Sequence, residues 1–329
     1  MSILAPTLQA FFTDRLARQR QASPHTIAAY RDTCKLLLAF ASQHTGSKPS
    51  SLRIADLDAP MIGAFLDHLE HDRGNSPRTR NARLAAIHSL FRYAALRHPE
   101  DAAVIQRVLA IPPKRYDHAI ITYLTEPEIS ALLAAPDQAT WTGRRDHALL
   151  ALAIQTGLRA SELTSLTISD THLGAGAHIS CLGKGRRQRI TPLTAGTVTI
   201  LATWLAERSG HPGDPLFPTR QGTPLSRDAL ERRVTRHAAA AALTCPALAE
   251  KAISPHVMRH SAAMRLLNAG VDTTVIALWL GHASVATTQI YVHADLALKE
   301  RALARTAPAD TQPGRYQPPD NIIAFLEAL

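Results

Sequence analysis

Thr156-Gly157-Leu158-Arg159-Ala160-Ser161-Glu162-Leu163 places a glycine between two helices and an arginine three residues before a glutamate. The apolar run Ala148–Ile154 precedes it, so a helix through Arg145–Thr156 is expected to stop at Gly157. Arg159 then falls near the start of the next helix, with Glu162 close enough to orient its guanidinium. Such a group is planar, permanently charged and able to take two oxygens of one anion at once. A lone arginine at a helix start is an ordinary surface residue. Its meaning depends on what else the chain carries.

Four further segments follow in order. Gly183-Lys184-Gly185 lies between two expected strands, Ala177–Leu182 and Arg187–Leu193, at the tip of a hairpin. A lysine there can swing into a neighbouring site as a general acid. In His256-Val257-Met258-Arg259-His260, His256 and Arg259 share one face of an expected helix, Pro255–Asn268. His260 reads as a core or supporting residue. His256 and His260 also have the spacing of a helical zinc pair. The glutamate of that motif is missing, however, and Arg259 would repel a cation. Leu280-Gly281-His282 ends another helix, a position expected to expose His282. Tyr291 comes nine residues later. A phenol needs nearby positive charge to act as a nucleophile, and the arginines, lysine and histidines would supply it. The set can hold a phosphodiester, neutralise its charge, attack it and protonate its leaving group without a metal. No cluster of carboxylates suggests a two-metal site.

Outside these motifs the second half reads as a mostly helical domain with one small sheet. Thr125-Glu126-Pro127-Glu128 has the spacing of a capping box. Helices are expected at Ala195–Arg208, Arg227–Ala242 and Thr273–Leu280, with Ser226, Ser254 and Asp272 as caps. The first ~110 residues read as helices alone. Ser23-Pro24, Asp58-Ala59-Pro60 and Ser76-Pro77 are start signals, and a fourth helix is expected near Asp101–Leu109. The third of these helices has six arginines and no acid from Arg73 to His98. Arg78, Arg80 and Arg83 cluster in its first turns, where a helix also favours anions. They are expected to touch a DNA backbone; the rival reading is a solvated arginine face. Ile111–Asp117, with two prolines, reads as a linker whose Lys114 and Arg115 join the expected DNA contacts. Arg186 and Arg187, beside the hairpin lysine, join them too.

The bulk numbers agree. The chain has 329 residues and a net charge of +9, of which +7 lies in residues 1–115. Such a bias favours phosphate backbones. No apolar run approaches the ~20 residues of a membrane span. Asp14 and Arg15 interrupt the start, so a signal-peptide layout is missing and a cytoplasmic protein is expected. Cys34, Cys181 and Cys245 are odd in number and far apart, which suits neither a disulfide framework nor a cysteine zinc site.

With these residues in order, the chain resembles a tyrosine recombinase of the phage-integrase family, Xer-like in layout, over about residues 5–300. The family's first arginine matches Arg159, its acidic companion Glu162, its hairpin lysine Lys184, its His-x-x-Arg pair His256 and Arg259, its His-or-Trp position His282, and its nucleophile Tyr291. The resemblance implies a helical, SAM-like core-binding domain (residues 1–111), a linker (112–118), a mixed, mostly helical catalytic domain with a small antiparallel sheet (119–305) and a tail (306–329). It implies attack by Tyr291 on a scissile phosphate, a 3′-phosphotyrosyl link, a 5′-hydroxyl protonated by Lys184, and passage through a Holliday junction. Bond energy is kept in the link, so neither ATP nor metal is implied. The implied partners are double-stranded recombination sites and three further protomers, identical or from a second recombinase, with room for an accessory protein. A nucleoid location follows. An arm-site domain of the lambda-integrase kind is not expected. In the tail, Ile322, Ile323, Phe325, Leu326 and Leu329 form one apolar stripe, and family members dock such a segment on a neighbour. Two other functions share the residues: a DNA-binding regulator that does not cut, and a type IB topoisomerase-like enzyme that nicks and reseals.

Overall fold

The computed structural model describes residues 3–116, 121–182, 188–282, 288 and 291. The chain divides into two compact units, Met1–Ala119 and Ile120–Leu329. Among the described residues both are mainly helical, and the one sheet lies in the second.

In the first unit α1 (Leu4–Ala10) runs into a π-type segment, Phe11–Gln19. Then come α2 (Pro24–Thr45), α3 (Ala59–His71), α4 (Pro77–Ala95) and α5 (Ala102–Leu109). The caps read from the sequence are in place. The side chains of Ser23, Asp58 and Ser76 accept the backbone N–H of Thr26, Met61 and Thr79. Each satisfies one of the orphan donors at a helix start. Phe40, Phe65, Leu66, Ile87, Phe91 and Ile105 meet in the core between these helices. The helix-and-π stretch before residue 20 was not expected from sequence. Phe11 and Leu16 anchor it, both fully buried.

The arginine face of α4 needs a correction. Arg80 is buried, with Nε 3.3 Å from Glu70 Oε2. Although α4 has no acid of its own, Glu70 of α3 supplies one, so Arg80 holds helices together and does not reach outward. The same carboxylate accepts from Lys114 Nζ at 2.6 Å. Asn81 also bonds the Lys114 backbone in both directions, at 2.8 and 3.0 Å. Lys114 is therefore laid along α4 and is not a loose linker residue. Arg83 is half-buried, with Nη1 3.4 Å from Thr33 Oγ1. Arg78 and Arg115 are exposed.

The second unit contains α6 (Glu126–Ala134), α7 (Trp141–Thr156) and α8 (Ala160–Ser165). A sheet of β1 (Thr171–His172), β2 (His178–Leu182) and β3 (Gln188–Pro192) follows. The chain then forms α9 (Ala195–Arg208), α10 (Arg227–Ala241), α11 (Pro255–Asn268) and α12 (Thr273–Leu280). The sheet is antiparallel in order β1-β2-β3, with Cys181 opposite Arg189. α7 is central because Ala148–Ile154 is buried all round, and it packs on α9 and α11. A buried polar knot ties α7 to α10. Asp146 accepts from Arg145 (2.6 Å), His237 (3.0 Å) and Arg233 (3.3 Å). Burial pushes its carboxyl up, but the His237 and Arg145 bonds outweigh burial and hold it below the usual range. The expected capping box is present: Thr125 N–H donates to Glu128 at 2.7 Å, and Lys251 Nζ adds a second contact at 2.7 Å.

Candidate active site

Gly157 ends α7 in the left-handed region, at φ +64°. A Cβ there would come within 2.6 Å of Leu280 Cδ2 and 3.0 Å of Ala262 Cβ. The turn lets α7, α11 and α12 meet, and it points Arg159 back across their ends. Arg159 caps α8. Its N–H and Nη1 both donate to Glu162, each at 2.8 Å, while Nη2 donates to the carbonyl of Gly281 at 2.8 Å. A third partner, Arg189 of β3, takes both oxygens of Glu162 at 3.0 and 2.8 Å. Burial raises the Glu162 carboxyl, yet the bonds from Arg189 and Arg159 overcome it and pull the pKa down to about 2. Glu162 is thus an anionic rivet between two guanidinium groups.

Arg259 is held differently. It is buried, and its Nη1 and Nη2 donate to the carbonyls of Gly157 (2.6 Å) and Leu280 (2.7 Å). These are the carbonyl ends of α7 and α12, where helix dipoles favour a cation. No carboxylate among the described residues forms an ion pair with it. Burial, then the neighbouring Arg159, lower its pKa to about 10. The site is electrostatically short of an anion.

Arg159, Ser161, Arg227, Ser254, His256 and Arg259 line one cleft of about 370 Å³. The His256 ring lies 4.2 Å from that of His260, one turn further along α11. His260 Nδ1 and the Tyr291 hydroxyl share a 3.1 Å hydrogen bond. Tyr291 is 1% exposed and packs on Met264, Leu267, Ile276 and Leu280. Burial raises its phenol above the ordinary value, and Arg259 and Arg159 only partly oppose this. His282 lies nearly parallel to the Tyr291 ring, with centroids 6.3 Å apart. Its expected exposure is not found. His282 is half-buried, and its Nδ1 bonds Thr288 Oγ1 at 2.8 Å. The pKa of each of these two histidines drops to about 4. For His260 the causes are burial, then His256, Arg259 and His282. For His282 they are burial, then Arg259, Arg159 and Arg189. At neutral pH both rings are uncharged. Among the described residues, no group of three potential metal ligands occurs at the cleft.

Arg159, Glu162, His256, Arg259, His282 and Tyr291 are thus brought together from segments that span residues 159–291. Lys184, Arg186 and Arg187 lie outside the described residues, as does the apolar stripe of the tail. The strands that flank Lys184 are present and end on either side of it.

A model of the phage integrase family matches residues 122–297, and a model of the phage integrase N-terminal SAM-like domain matches residues 10–98. The chain belongs to the phage integrase family. It is a tyrosine recombinase of the Xer-like kind. A Sinorhizobium fredii chain named integrase/recombinase y4rC is 52% identical over 99% of this chain and 98% of its own length. The tyrosine recombinase XerD of Pseudomonas putida is 33% identical over 86% of this chain and 91% of its own. Among solved structures, the XerH site-specific recombinase bound to difH substrate before cleavage covers 88% of this chain and 81% of its own, with 25% identity and a TM-score of 0.63. The Tn1549 transposon integrase with transposon right-end DNA has a TM-score of 0.68 at 18% identity, which is a likeness of fold.

Sequence reading missed two side chains of this recombinase's site and undervalued a third. Arg189 is the second residue of a five-residue strand, and nothing local shows that its partner is Glu162. Arg227 follows the cap Ser226 and looks like any first-turn residue, yet it lines the cleft. His260 reads from the sequence as a core or supporting residue, yet it is the residue that meets the tyrosine hydroxyl.

Proposed function

We propose that this recombinase exchanges DNA strands through Tyr291. The observation that carries the reading is Arg259: a buried guanidinium with no carboxylate partner among the described residues, beside Arg159 on one cleft. A phosphodiester in that cleft would supply the missing negative charge. Fixed cations would then stabilise the added charge of the pentavalent transition state. The Tyr291 oxygen attacks the phosphorus, the bond to the 5′ oxygen breaks, and a 3′-phosphotyrosyl link forms. Lys184, from the segment between β2 and β3, gives its proton to the departing 5′ oxygen. A 5′-hydroxyl from a second duplex reverses the step, and two such rounds pass through a Holliday junction.

The active form is a tetramer of identical or paired recombinases on two duplex sites, working at the nucleoid. Arg78, Arg83 and Arg115, with Arg186 and Arg187, contact the phosphate backbone. Residues 1–111 act as the core-binding domain, 119–305 as the catalytic domain.

Covalent capture tests the reading. Wild-type protein and Tyr291→Phe are mixed with fragmented genomic DNA of the host, quenched in SDS, and the protein-linked DNA is sequenced. Enrichment of one short, roughly palindromic sequence by the wild type alone is expected. An undiminished adduct in Tyr291→Phe would show another nucleophile.

A further inference from the structure

Building on Tyr291 as the nucleophile, we propose that His260 is the base that removes its proton. Among the described residues, His260 Nδ1 is the one hydrogen-bond partner of the Tyr291 hydroxyl, at 3.1 Å. That distance is within the reach a general base needs. The rings meet edge to face, at 65° and 5.5 Å between centroids, so the Nδ1 edge addresses the hydroxyl and not the ring face. His256 lines the cleft one turn away. The two histidines of His256-Val257-Met258-Arg259-His260 thereby divide the work. His256 faces the cleft where the phosphate would lie, and His260 faces the attacking oxygen.

The proton balance closes. As the bond from Tyr291 Oη to phosphorus forms, the phenolic proton passes to His260 Nδ1 and leaves an imidazolium. The bond from phosphorus to the 5′ oxygen breaks, and that oxygen takes its proton from Lys184. In the return step the attacking 5′-hydroxyl gives its proton to Lys184, and the imidazolium gives its own back to the phenol as the tyrosyl–phosphorus bond breaks. No further reactant is consumed.

The surroundings keep this transfer off until DNA arrives. The titratable and charged groups around His260 are His256 and Arg259 on α11, His282 beyond α12, and Tyr291 itself. With the cleft empty, burial and these neighbours keep His260 neutral, and Tyr291 keeps its proton. A phosphate offsets the charge of Arg259. The pentavalent transition state adds more negative charge beside the ring, which favours the imidazolium. Proton transfer is therefore tied to the attack and does not precede it.

The test follows single-turnover adduct formation on a nicked duplex that carries the sequence recovered by covalent capture. Three proteins are compared: wild type, His260→Ala and His260→Asn. Asparagine keeps an acceptor near the Nδ1 position but takes up no proton near neutral pH. Both variants are expected to slow adduct formation by about 100-fold or more, with DNA affinity and unfolding midpoint close to wild type. Imidazole added to His260→Ala should restore part of the rate, in proportion to its neutral form. A wild-type rate for His260→Asn would leave His260 a placing role only and overturn the proposal. So would a His260→Ala rate within about threefold of wild type, or variants that lose binding and stability together with rate. Tyr291→Phe, run in parallel, separates the two readings. If it still forms adduct, the nucleophile assignment itself fails.

Discussion

Arg189 grips both carboxylate oxygens of Glu162, at 3.0 and 2.8 Å, from a strand 27 residues further along the chain. Glu162 in turn holds Arg159 by its backbone and its side chain. The cleft arginine is therefore positioned through an acid by a second arginine that has no place in the catalytic set.

Replacing Arg189 by alanine should leave Glu162 with too little compensation in a buried place. Breaking a buried pair costs about 3–5 kcal/mol. The expected result is a loss of that order in urea unfolding, with cleavage falling further than DNA affinity. Arg189→Lys should recover only part of either, since an ammonium does not fork onto two oxygens. Unchanged cleavage in a folded Arg189→Ala would show that Arg159 needs no such support.

Gly157→Ala should be costly although it adds one methyl group. The backbone is left-handed there, and the new Cβ meets Leu280 and Ala262 at 2.6 and 3.0 Å. A left-handed conformation costs roughly 1–2 kcal/mol and overpacking about 1–3 kcal/mol more. The Gly157 carbonyl also holds Arg259. Both thermal stability and adduct formation should drop, and a variant that melts like wild type would refute the packing account.

Arg78 and Arg80, two residues apart on α4, should behave in opposite ways. Arg78→Ala should weaken DNA binding and flatten its salt dependence by about one charge, with little change in stability. Arg80→Ala should destabilise the first unit, because it breaks the pair with Glu70. Equal effects of the two on the salt slope would restore Arg80 to the DNA face.

Acid should weaken the second unit over two pH ranges. His260 and His282 titrate in the fold at about 4, against 6.5 for the free side chain. Between those values the unfolded chain binds more protons, so stability falls as pH drops from about 6.5 to 4. Glu162 titrates at about 2, against 4.5. Its contribution is whole above 4.5 and is lost as pH falls toward 2. All three tryptophans, Trp141, Trp204 and Trp279, lie in the second unit, so their fluorescence reports it alone. His282→Gln should shallow the fall over the upper range and spare the lower. A urea midpoint, read from that fluorescence, that does not move between pH 6.5 and 4 would contradict both histidine shifts.

What could be read from the sequence was local. Ser76-Pro77, Thr125 with Glu128, and Gly157 announce their helix ends because the atoms that satisfy the backbone are within three residues. Arg159, His256 and Arg259, which line the cleft, could be named because their types and order are unusual together. The parts that escaped are those set by distant partners. Thr171–His172 is a strand only because Ile179 and His178 lie beside it. Arg80 reads as a DNA contact until Glu70 is found against it. Arg189 and His260 have ordinary local settings, and each takes its meaning from a residue 27 or 31 positions away.

Arg259 gives its forked donors to the last carbonyls of α7 and α12. The charge in the cleft is then fixed by where two helices stop, not by a side chain free to search. One residue inserted into or removed from either helix would turn those carbonyls by about 100° and cast the guanidinium adrift. The enzyme could lose its chemistry with every cleft residue still present in its sequence, so counting motif residues is a poor guide to which relatives of this chain can cut.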